Sequence, residues 1–398
     1  MRTESRRCVK VLIIDAAIAF GGTLVVARNL AKHLDRANVD VSLVSASSDG
    51  FVSSDFAGPA GVRIIAPYAD YVRLQNWKRA VRRRFAPGIV RRGLEIAVII
   101  GGIVANVPYM MRVALQCWRT DADVVHLNNY VMEPLWVARM LRIPILYHLH
   151  GYLPNPLERS ARRNLRHVEA FVSISKGVND SAVRAGIEAQ RIHNIPNFVE
   201  WPPAATPPPL PDKPVVGIFG RVIPWKGQKE FLQAAVTLLP RFPDLRLLIV
   251  GGVSDGEPEY MDECRAIAEA SGYADRIEFT GMVTDVTSYY RRCSVVVHAS
   301  IQPEPFGMVL IEGMAEGRPI VASSLGAAPE IIEEGVEGYI VHPEDRETMA
   351  ARIATLVADP ELAARMGRKG HAKVQALYDP RVAARAFEQL YRQLAGAA

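Results

Sequence analysis

The stretch KVLIIDAAIAFGGTLVVARNLAKHL, residues 10–34, contains the pattern that decides the fold. Residues 10–15 centre on an apolar, β-branched run that predicts a buried strand, and the glycine pair that follows predicts a turn. The remainder predicts an amphipathic helix, whose apolar face comprises Leu24, Ala27, Ala31 and Leu34. A strand, a tight turn and a helix form the repeating unit of an α/β protein with a parallel sheet.

The same alternation extends along the chain in two blocks. In the first half, further short runs predict buried strands: VDVSLVSA, GVRIIAP, ADVVHLNN, PILYHLH and AFVSISK. The segment WPPAATPPPLPDKP cannot form a helix or an inner strand, so it predicts a stiff linker. The pattern restarts at PVVGIFGRV and ends in an amphipathic helix near the C-terminus. A length of 398 residues suits two such domains. We predict an N-terminal Rossmann-like domain over 1–200, a linker over 201–214, a C-terminal domain over 215–380 and a last helix over 381–398.

Composition excludes several classes of protein. Hydrophobic residues make up 49% of the chain, which argues against disorder, and the net charge of +5 is too mild to predict nucleic-acid binding. An N-terminal basic and apolar stretch superficially resembles a signal peptide, but Asp15 interrupts it and no small-residue cleavage site follows. The scattered cysteines support neither a disulfide framework nor a metal site, and they favour the reducing cytoplasm. They are Cys8, Cys117, Cys264 and Cys293.

Two cations follow the first strand of the second block. Arg221 and Lys226 lie in GRVIPWKG, on a predicted loop at the end of that strand. An arginine fork and a lysine ammonium in such a loop can pair with phosphate oxygens. The alternative is that both are ordinary solvated surface charges.

The segment QPEPFGMVLIEGMAEGRPIVAS, residues 302–323, predicts a loop followed by a short helix that Gly317 ends. The first amides of that helix and its positive dipole end suit a diphosphate. Glu304 lies just before the helix and Glu312 about one turn inside it, where carboxylates can accept hydrogen bonds from sugar and ribose hydroxyls. Taken singly, each glutamate also fits the ordinary role of an acid near a helix start.

The spacing E-P-F-G-x-x-x-x-E resembles the signature of glycosyltransferase family 4, retaining enzymes with the GT-B fold of two Rossmann-like domains facing a central cleft. Other segments resemble family landmarks in the expected order along nearly the whole chain. The matching segments are FGG (Gly21 and Gly22), HLHG with His150, SISKGV, IPNFVE, GRVIPWKG, FTGMV with Gly281, and EPFGMVLIE.

This resemblance implies a role for each matching residue. Arg221 and Lys226 are expected to neutralise the diphosphate leaving group, Glu304 to hold the hydroxyls of the transferred sugar, and His150 to orient that sugar. The alternative for His150 is a structural histidine at a strand end, like its neighbour His148. The remaining expected donor-binding residues are Gly21, Gly22, Gly281, Phe306, Gly307, Met308, Val309 and Glu312.

The expected reaction is transfer of a sugar from a UDP-, GDP- or ADP-sugar to a glycan or lipid-linked acceptor, as in exopolysaccharide or lipopolysaccharide assembly. No carboxylate nucleophile is evident, so a same-face reaction assisted by the departing phosphate is expected, without metal or cofactor. Asp121 and Asp123 form a D-A-D triplet that in another fold binds a divalent metal. Here it precedes an apolar strand and offers too few oxygen ligands.

A basic segment precedes an apolar one in the N-terminal half. No acid lies between Asp70 and Glu95, and the residues from Ile96 to Met111 are uncharged. The bases in the first segment are Arg73, Lys78, Arg79, Arg82, Arg83, Arg84, Arg91 and Arg92. The apolar run is too short and too interrupted to predict a spanning helix. Residues 73–111 therefore indicate peripheral attachment to an anionic inner leaflet, or alternatively a buried helix preceded by a solvated basic loop.

Three other functions compete with sugar transfer. A nucleotide-sugar epimerase of the same fold would form product from the donor alone, and an inactive protein would bind the nucleotide without turnover. A nicotinamide-dependent dehydrogenase is disfavoured, because FGG lacks the G-x-G-x-x-G spacing and no acid stands at the expected strand end.

Overall fold

The computed structural model describes residues 7–15, 22–45, 62–64, 71–129, 132–200, 206–253 and 258–396. They form two compact units. The first comprises residues up to Ile174, Val178–Ile195 and the C-terminal residues from Ala383, and the second comprises Ser175–Gly177 and Pro196–Val382.

The first unit is built on a seven-stranded parallel sheet of order β3-β2-β1-β4-β5-β6-β7. Its strands are β1 (Val9–Asp15), β2 (Val39–Ser45), β3 (Val62–Ile64), β4 (Val124–Leu127), β5 (Ile145–Leu149), β6 (Ala170–Ser173) and β7 (Ile192–Asn194). The helices between them are α1 (Gly22–His33), α2 (Tyr71–Arg84), α3 (Ile89–Ala105), α4 (Val107–Thr120), α5 (Met132–Met140), α6 (Arg159–Leu165) and α7 (Lys176–Arg184).

The second unit repeats the plan with a six-stranded parallel sheet of order β10-β9-β8-β11-β12-β13. Its strands are β8 (Val215–Phe219), β9 (Arg246–Val250), β10 (Ile277–Phe279), β11 (Val295–His298), β12 (Ile320–Ser323) and β13 (Gly338–Val341). Its helices are α8 (Gln228–Ala235), α9 (Pro258–Ala270), α10 (Val286–Arg292), α11 (Met308–Ala315), α12 (Ala328–Ile331), α13 (Arg346–Ala358) and α14 (Pro360–Leu377). The last helix, α15 (Pro380–Gly396), belongs from Ala383 onward to the first unit.

The strand sequences explain why both sheets lie inside their units. The β4, β6, β11 and β12 residues are all buried, as expected for parallel strands covered by helices on both faces. Acidic N-caps mark several helix starts. Asp285, Asp345 and Asp359 each accept a hydrogen bond from the backbone amide three residues on, at the starts of α10, α13 and α14. The chain thus has the two-domain α/β architecture that the strand–helix alternation predicts.

Part of the segment predicted as a linker packs on the second unit. Arg318 is fully buried, and its guanidinium donates hydrogen bonds to the carbonyls of Pro208 and Pro209, each at 3.0 Å, and of Cys293 at 3.2 Å. Because prolines cannot donate backbone hydrogen bonds, a buried guanidinium that serves their carbonyls fixes this stretch to the fold.

The D-A-D triplet tethers β4 to β1. Asp123 accepts hydrogen bonds from the Arg7 guanidinium at 2.7 Å and from the Lys10 amide at 2.9 Å, and Asp121 pairs with the Lys10 ammonium at 2.9 Å. Both carboxylates precede β4, so they lie at the amino edge of the sheet. In the described part of the chain, no three His, Cys, Asp or Glu side chains are grouped in a way that could hold a metal ion.

Most of the apolar segment after the basic cluster is exposed, with Asn106 and Tyr109 buried near its end, so the alternative of a buried helix is wrong. Only Gly102 is buried in α3, and the basic segment is itself largely helix α2 rather than a loop. No single helix of the described residues is long and apolar enough to cross a membrane. The pair α3 and α4, bent by 42°, meets the length and composition criterion only when taken together.

Candidate active site

Glu304 follows β11 in the second unit and is held by three donors. Its Oε1 is 2.7 Å from the Lys226 ammonium, and its Oε2 accepts hydrogen bonds from His298 Nε2 at 2.7 Å and Ser300 Oγ at 3.0 Å. Burial works to raise the pKa of Glu304, but the hydrogen bonds and charges of His298 and Lys226 outweigh burial and hold the pKa at about 2. Glu304 is therefore a carboxylate at neutral pH, able to accept hydrogen bonds and to stabilise positive charge.

Two glycines let the loops that carry Lys226 and Glu304 approach closely. Gly227 has φ +76°, and a Cβ there would lie 1.9 Å from the carbonyl oxygen of Ala299. Gly326 has φ +72°, and its Cβ would lie 2.3 Å from the backbone nitrogen and oxygen of Glu304. Only glycine combines these left-handed conformations with such contacts at no steric cost.

Glu312 lies one turn inside α11 and is oriented by a tyrosine. Tyr290 donates its hydroxyl to Glu312 Oε2 at 2.8 Å, and its ring stacks on Phe219 with centroids 3.9 Å apart. Burial raises the pKa of Glu312, against the lowering effects of the Tyr290 hydrogen bond and the Lys226 charge. The Lys226 ammonium thus acts on both glutamates, which places the three ionic groups in one neighbourhood.

The start of α11 presents backbone amides beside this ionic group. Gly307, with φ +93°, is the N-cap, and Met308 and Val309 are the first helical residues. The amides of a first helical turn have no intrahelical acceptor. Phe306 just before the cap is buried, with its ring 6.0 Å from that of Tyr378. The segment predicted to cradle phosphates therefore forms a helix N-terminus next to Glu304.

Arg221 and Gly281 lie on loops at the same sheet edge, with the loop that follows β9 between them. Gly281 follows β10 and forms a bridge with Gly251, which follows β9. The carbonyl of Arg221 accepts a hydrogen bond from Gln228 Nε2 at 2.9 Å, while its side chain is exposed. The structure thus brings Lys226, Glu304 and Glu312 together, whereas the Arg221 guanidinium makes no ion pair with any described residue.

His150 directly follows β5 in the first unit and belongs to a different cluster. Its Nε2 is 2.9 Å from Asn128 Oδ1, and its ring lies 4.0 Å from that of the buried His148. Burial lowers the pKa of His150 to about 3, so the ring is neutral at neutral pH. Of the predicted glycine turn, Gly21 lies outside the described residues and Gly22 is the first residue of α1.

Two family models match the chain in tandem. The model described as Glycosyltransferase Family 4 matches residues 20–200, and the model described as Glycosyl transferases group 1 matches residues 206–373. The chain belongs to the group 1 glycosyltransferases of family 4. It is accordingly an enzyme of the hexosyltransferase type, and its two-domain α/β fold is GT-B.

Curated relatives of this glycosyltransferase extend over most of its length. The lipopolysaccharide core biosynthesis mannosyltransferase LpcC of Rhizobium leguminosarum is 29% identical over 348 residues, covering 84% of this chain and 97% of the relative. The phosphatidyl-myo-inositol mannosyltransferase of Mycobacterium leprae is 29% identical over 350 residues, covering 84% of this chain and 88% of the relative.

Solved structures share the fold. HepE of Anabaena, in complex with UDP, superposes with a TM-score of 0.76 at 22% identity, covering 97% of this chain and all of that one. A glycosyltransferase from Rickettsia africae superposes with the same TM-score of 0.76 at 18% identity, covering 97% and 98%.

The two clusters contain side chains that the sequence patterns did not single out. His298, Ser300 and Tyr290 position the two glutamates, and Asp15 and Asn128 lie around His150. Four of these five residues end a parallel strand or follow one within two residues. The carboxyl edge of a parallel sheet is where ligands of α/β proteins bind, so that position was an available signal. Tyr290, on α10, carried no such signal.

Proposed function

We propose that this glycosyltransferase moves a hexosyl group, with retention of configuration, from a nucleoside diphosphate sugar to a hydroxyl of a glycan or lipid-linked acceptor. The observation that carries the donor assignment is the cluster of Lys226, Glu304 and Glu312 beside the first amides of α11. One cation, two oriented carboxylates and a helix N-terminus match a diphosphate flanked by a ribose and a sugar.

Each group is assigned to the portion of the nucleotide sugar that its charge suits. Lys226 and Arg221 neutralise the diphosphate, together with the amides from Phe306 to Val309. Glu312, held by Tyr290, accepts hydrogen bonds from the ribose. Glu304, whose pKa of about 2 keeps it ionised, accepts hydrogen bonds from the transferred sugar and cannot serve as a general acid.

In the proposed step, the acceptor oxygen bonds to the anomeric carbon on the face from which the diphosphate departs. The bond between that carbon and the diphosphate oxygen breaks, and its electron pair leaves with the diphosphate. The hydroxyl proton passes to an oxygen of the leaving diphosphate, so no side chain has to act as base. Catalysis then consists of positioning and of stabilising phosphate charge, and loss of Lys226 is expected to cost about 2–4 kcal/mol of transition-state stabilisation.

We also propose that the reaction needs no metal ion or other cofactor. Arg221 and Lys226 supply the positive charge that a divalent cation provides in metal-dependent transferases. Addition of EDTA is therefore expected to leave the initial rate unchanged. A rate that falls with EDTA and recovers with magnesium would contradict this assignment.

A thermal-shift series with UDP, GDP, ADP and their common sugar conjugates tests the donor site. A nucleotide at about 100 times its Kd stabilises the folded state by about 2.7 kcal/mol, which is readily measured as a rise in Tm. Glu312→Gln is expected to abolish the selective shift, because its amide no longer offers two acceptor oxygens to the ribose. Glu316→Gln is the matched control, because the Glu316 carboxylate is paired with Arg291 at 2.9 Å and is not assigned to the ribose. Equal shifts in both variants would reject the assignment of Glu312.

Product analysis distinguishes transfer from its alternatives. A new sugar formed from the donor alone would indicate an epimerase, and stabilisation by a nucleotide sugar without turnover by any acceptor extract would indicate a binding protein. Anomeric analysis of the product by NMR tests retention. The relatives are named for lipopolysaccharide core and phosphatidylinositol substrates, which supports a place in bacterial lipopolysaccharide or exopolysaccharide assembly.

A lipid-linked acceptor is supported by an exposed surface on α2, α3 and α4 of the first unit. One apolar stripe continues across α3 and α4, with members four or seven residues apart that are each more than half exposed. These are Ile96, Ile100, Val104, Met111 and Trp118. Exposed stripes of this extent are characteristic of surfaces that bind a membrane or another protein.

The basic residues beside the stripe favour an anionic lipid leaflet. Helix α2 ends in Arg82, Arg83 and Arg84. Glu95, the one acid in the sequence between residues 71 and 120, is shared by Arg82 and Arg91 at 3.1 and 3.5 Å. The other arginines keep this surface strongly positive, and each basic residue near an anionic leaflet contributes about 1 kcal/mol. We propose that this surface holds the enzyme on the cytoplasmic face of the membrane, where a lipid-linked acceptor lies.

Vesicle flotation tests the membrane assignment. The enzyme is expected to float with vesicles containing phosphatidylglycerol and to float less at high salt, whereas pure phosphatidylcholine vesicles bind weakly. Ile100→Gln together with Met111→Gln should reduce binding, whereas Val183→Gln, which changes an exposed apolar residue of α7, should not. The membrane assignment would be rejected if the enzyme failed to float with anionic vesicles, or if Val183→Gln lost as much vesicle binding as the double variant.

A further inference from the structure

The orientation of the Asn128 side chain follows from its hydrogen-bond partners. Its Nδ2 donates to Asp15 Oδ2 at 2.5 Å and to the carbonyl of Thr23 at 2.9 Å. A carboxylate and a carbonyl only accept hydrogen bonds. Turning the amide by 180° would place Oδ1 against both of them, so Oδ1 has to face the third neighbour, His150.

The orientation of Asn128 in turn determines where His150 carries its proton. The Oδ1 atom of an amide accepts hydrogen bonds and cannot donate them, and it lies 2.9 Å from His150 Nε2. The hydrogen bond therefore requires a proton on Nε2. In a neutral imidazole this leaves Nδ1 as an acceptor, and no described residue donates a hydrogen bond to it.

The three residues reach this arrangement because they lie at the carboxyl ends of three adjacent parallel strands. Asp15 is the last residue of β1, Asn128 follows β4, and His150 follows β5, and these strands are neighbours in the sheet. Asn129 also donates to Asp15, at 3.2 Å, so the carboxylate holds two consecutive amides. Asp15 is fully buried, and these amides supply hydrogen bonds that a buried carboxylate requires.

We propose that Asp15 and Asn128 are positioning residues that fix His150 as the Nε2–H tautomer, so that Nδ1 accepts a hydrogen bond from a hydroxyl of a bound sugar. The inference rests on the proposed function for the identity of the ligand. It specifies that the sugar group facing His150 Nδ1 is a hydrogen-bond donor. A deoxy sugar loses the hydrogen bond, and a sugar that carries a carboxylate at that position meets the lone pair of Nδ1 and is rejected.

Side-chain ¹⁵N NMR on protein labelled at histidine tests the tautomer directly. The His150 signal, assigned from its loss in His150→Gln, is expected to show a protonated Nε2 and an unprotonated Nδ1 in the wild type. Asn128→Ala removes the acceptor and should give a mixture of tautomers. Asn129→Ala is the matched control, because Asn129 shares the Asp15 carboxylate without contacting His150.

Kinetics separate positioning from a general loss of structure. In Asn128→Ala, kcat/KM for the nucleotide sugar is expected to fall roughly tenfold or more, as for one lost hydrogen bond in a water-poor site. Binding of the free nucleoside diphosphate, which has no sugar, should stay unchanged. If Asn128→Ala keeps the wild-type tautomer, or if nucleoside diphosphate binding weakens in parallel with turnover, the positioning role is excluded.

A conservative variant guards against misfolding of the alanine variant. In Asp15→Asn, the new amide oxygen can still accept a hydrogen bond from Asn128 Nδ2, and the Thr23 carbonyl still requires that nitrogen, so Asn128 Oδ1 still faces His150 Nε2. Asp15→Asn should therefore keep the Nε2–H tautomer and more activity than Asp15→Ala, and loss of the tautomer in Asp15→Asn, or activity no higher than that of Asp15→Ala, would overturn the proposal. The NMR measurement of the tautomer needs no nucleotide sugar, so it remains informative if no nucleotide sugar is turned over.

Discussion

At the residue scale, the backbone around Glu304 is as constrained as its carboxylate. Ala327 donates its amide to the Glu304 carbonyl at 3.0 Å, and the preceding Gly326 lies against the same peptide. The Glu304 carboxylate thus accepts hydrogen bonds from Lys226, His298 and Ser300, while the Glu304 backbone is held by Ala327 and Gly326. A small displacement of this peptide should misplace the carboxylate relative to a bound sugar, which is costly because catalysis here depends on positioning.

Gly326→Ala tests that constraint. The new Cβ would clash with the Glu304 backbone, and we expect turnover to fall by about tenfold or more, since a shift of about 1 Å near reacting groups has effects of this order. Gly335→Ala is the matched control, because Gly335 has a similar φ of +77° but open space around its Cβ. Both variants should lose about 1 kcal/mol of stability from the strained φ. Equal turnover in the two would show that the Glu304 contact is not required.

A second prediction concerns Tyr290, which carries the hydrogen bond to Glu312. Tyr290→Phe keeps the stacking on Phe219 and removes only the hydroxyl. Hydrogen bonds to charged groups contribute about 1.5–3 kcal/mol, so we expect nucleotide affinity to fall by roughly 10- to 100-fold, measured by calorimetry. Tyr289→Phe, at the adjacent position of α10, should bind as the wild type does. An unchanged Kd in Tyr290→Phe would mean that Glu312 does not depend on this contact.

The predictability of the site also differs from residue to residue. Glu304 and Glu312 lie in one short segment whose turn and helix signals are local, so their proximity could be inferred from spacing. Lys226 reaches them because β8 and β11 are adjacent in the sheet, and the sequence indicates that proximity only through the family resemblance. Asp15, Asn128 and His150 come together only because β1, β4 and β5 are adjacent in the sheet, and one sequence does not specify which strands are neighbours. In the sequence, Asp15 is recognisable only as an interruption of an apolar run, although in the fold its carboxylate is a buried acceptor.

At the element scale, helix α15 packs on the first unit over two buried histidines. Its Tyr391 hydroxyl is 2.8 Å from His126 Nδ1, and the Phe387 ring lies 5.5 and 5.3 Å from the rings of His126 and His148. Burial lowers the pKa of His126 to about 3, with a smaller contribution from repulsion by His150 when that ring is protonated, and burial lowers the pKa of His148 well below its usual range. Neutral imidazoles are therefore part of the surface on which α15 packs.

This packing predicts a loss of stability in mild acid. Above pH 6.5 these histidines are neutral in the folded and unfolded states, so they do not affect stability. Between about pH 6.5 and 3 the unfolded chain takes up protons that the folded state excludes. The free energy of unfolding should then fall as the pH falls, by up to about 1.4 kcal/mol per pH unit for each histidine.

Hydrogen exchange locates that loss. After correction for intrinsic rates, amides from Ala383 to Gly396 should exchange faster at pH 5.5 than at pH 7.5, whereas those of α13 in the second unit should not. His126→Gln removes one titrating ring and should lessen the pH dependence. Uniform acceleration across both helices would indicate a global effect unrelated to the histidines.

Helices α2 to α4 show what sequence patterns determine about an element. The basic cluster and the uncharged run predicted a peripheral surface, with a solvated loop and a buried helix as the alternative, and the exposure of α3 decides against that alternative. The exposed stripe also continues to Trp118, beyond the predicted limit at Met111. Exposure of an apolar helix depends on what the rest of the unit packs against it, and periodicity within the helix does not encode that.

At the scale of the whole molecule, the proposed activities are assigned to different units. Lys226, Glu304 and Glu312 lie in the second unit, whereas the basic and apolar surface of α2, α3 and α4 lies in the first. The two-domain fold was predictable because a proline-rich segment interrupts a strand–helix alternation that then restarts. The assignment of donor binding to one unit and membrane attachment to the other follows from the positions of the charged residues along the chain.

This division predicts two separate footprints in hydrogen exchange. A nucleoside diphosphate should slow exchange in residues 219–228 and 304–312, because ligand contacts suppress local opening around bound groups. Vesicles with anionic lipid should instead slow exchange in residues 77–118 and leave the first set unchanged. With Lys226→Ala the nucleotide footprint should vanish while the lipid footprint stays, and the pair Ile100→Gln and Met111→Gln should do the reverse. If lipid protected the Lys226 loop, or if Lys226→Ala abolished both footprints, membrane attachment and donor binding could not be independent properties of the two units.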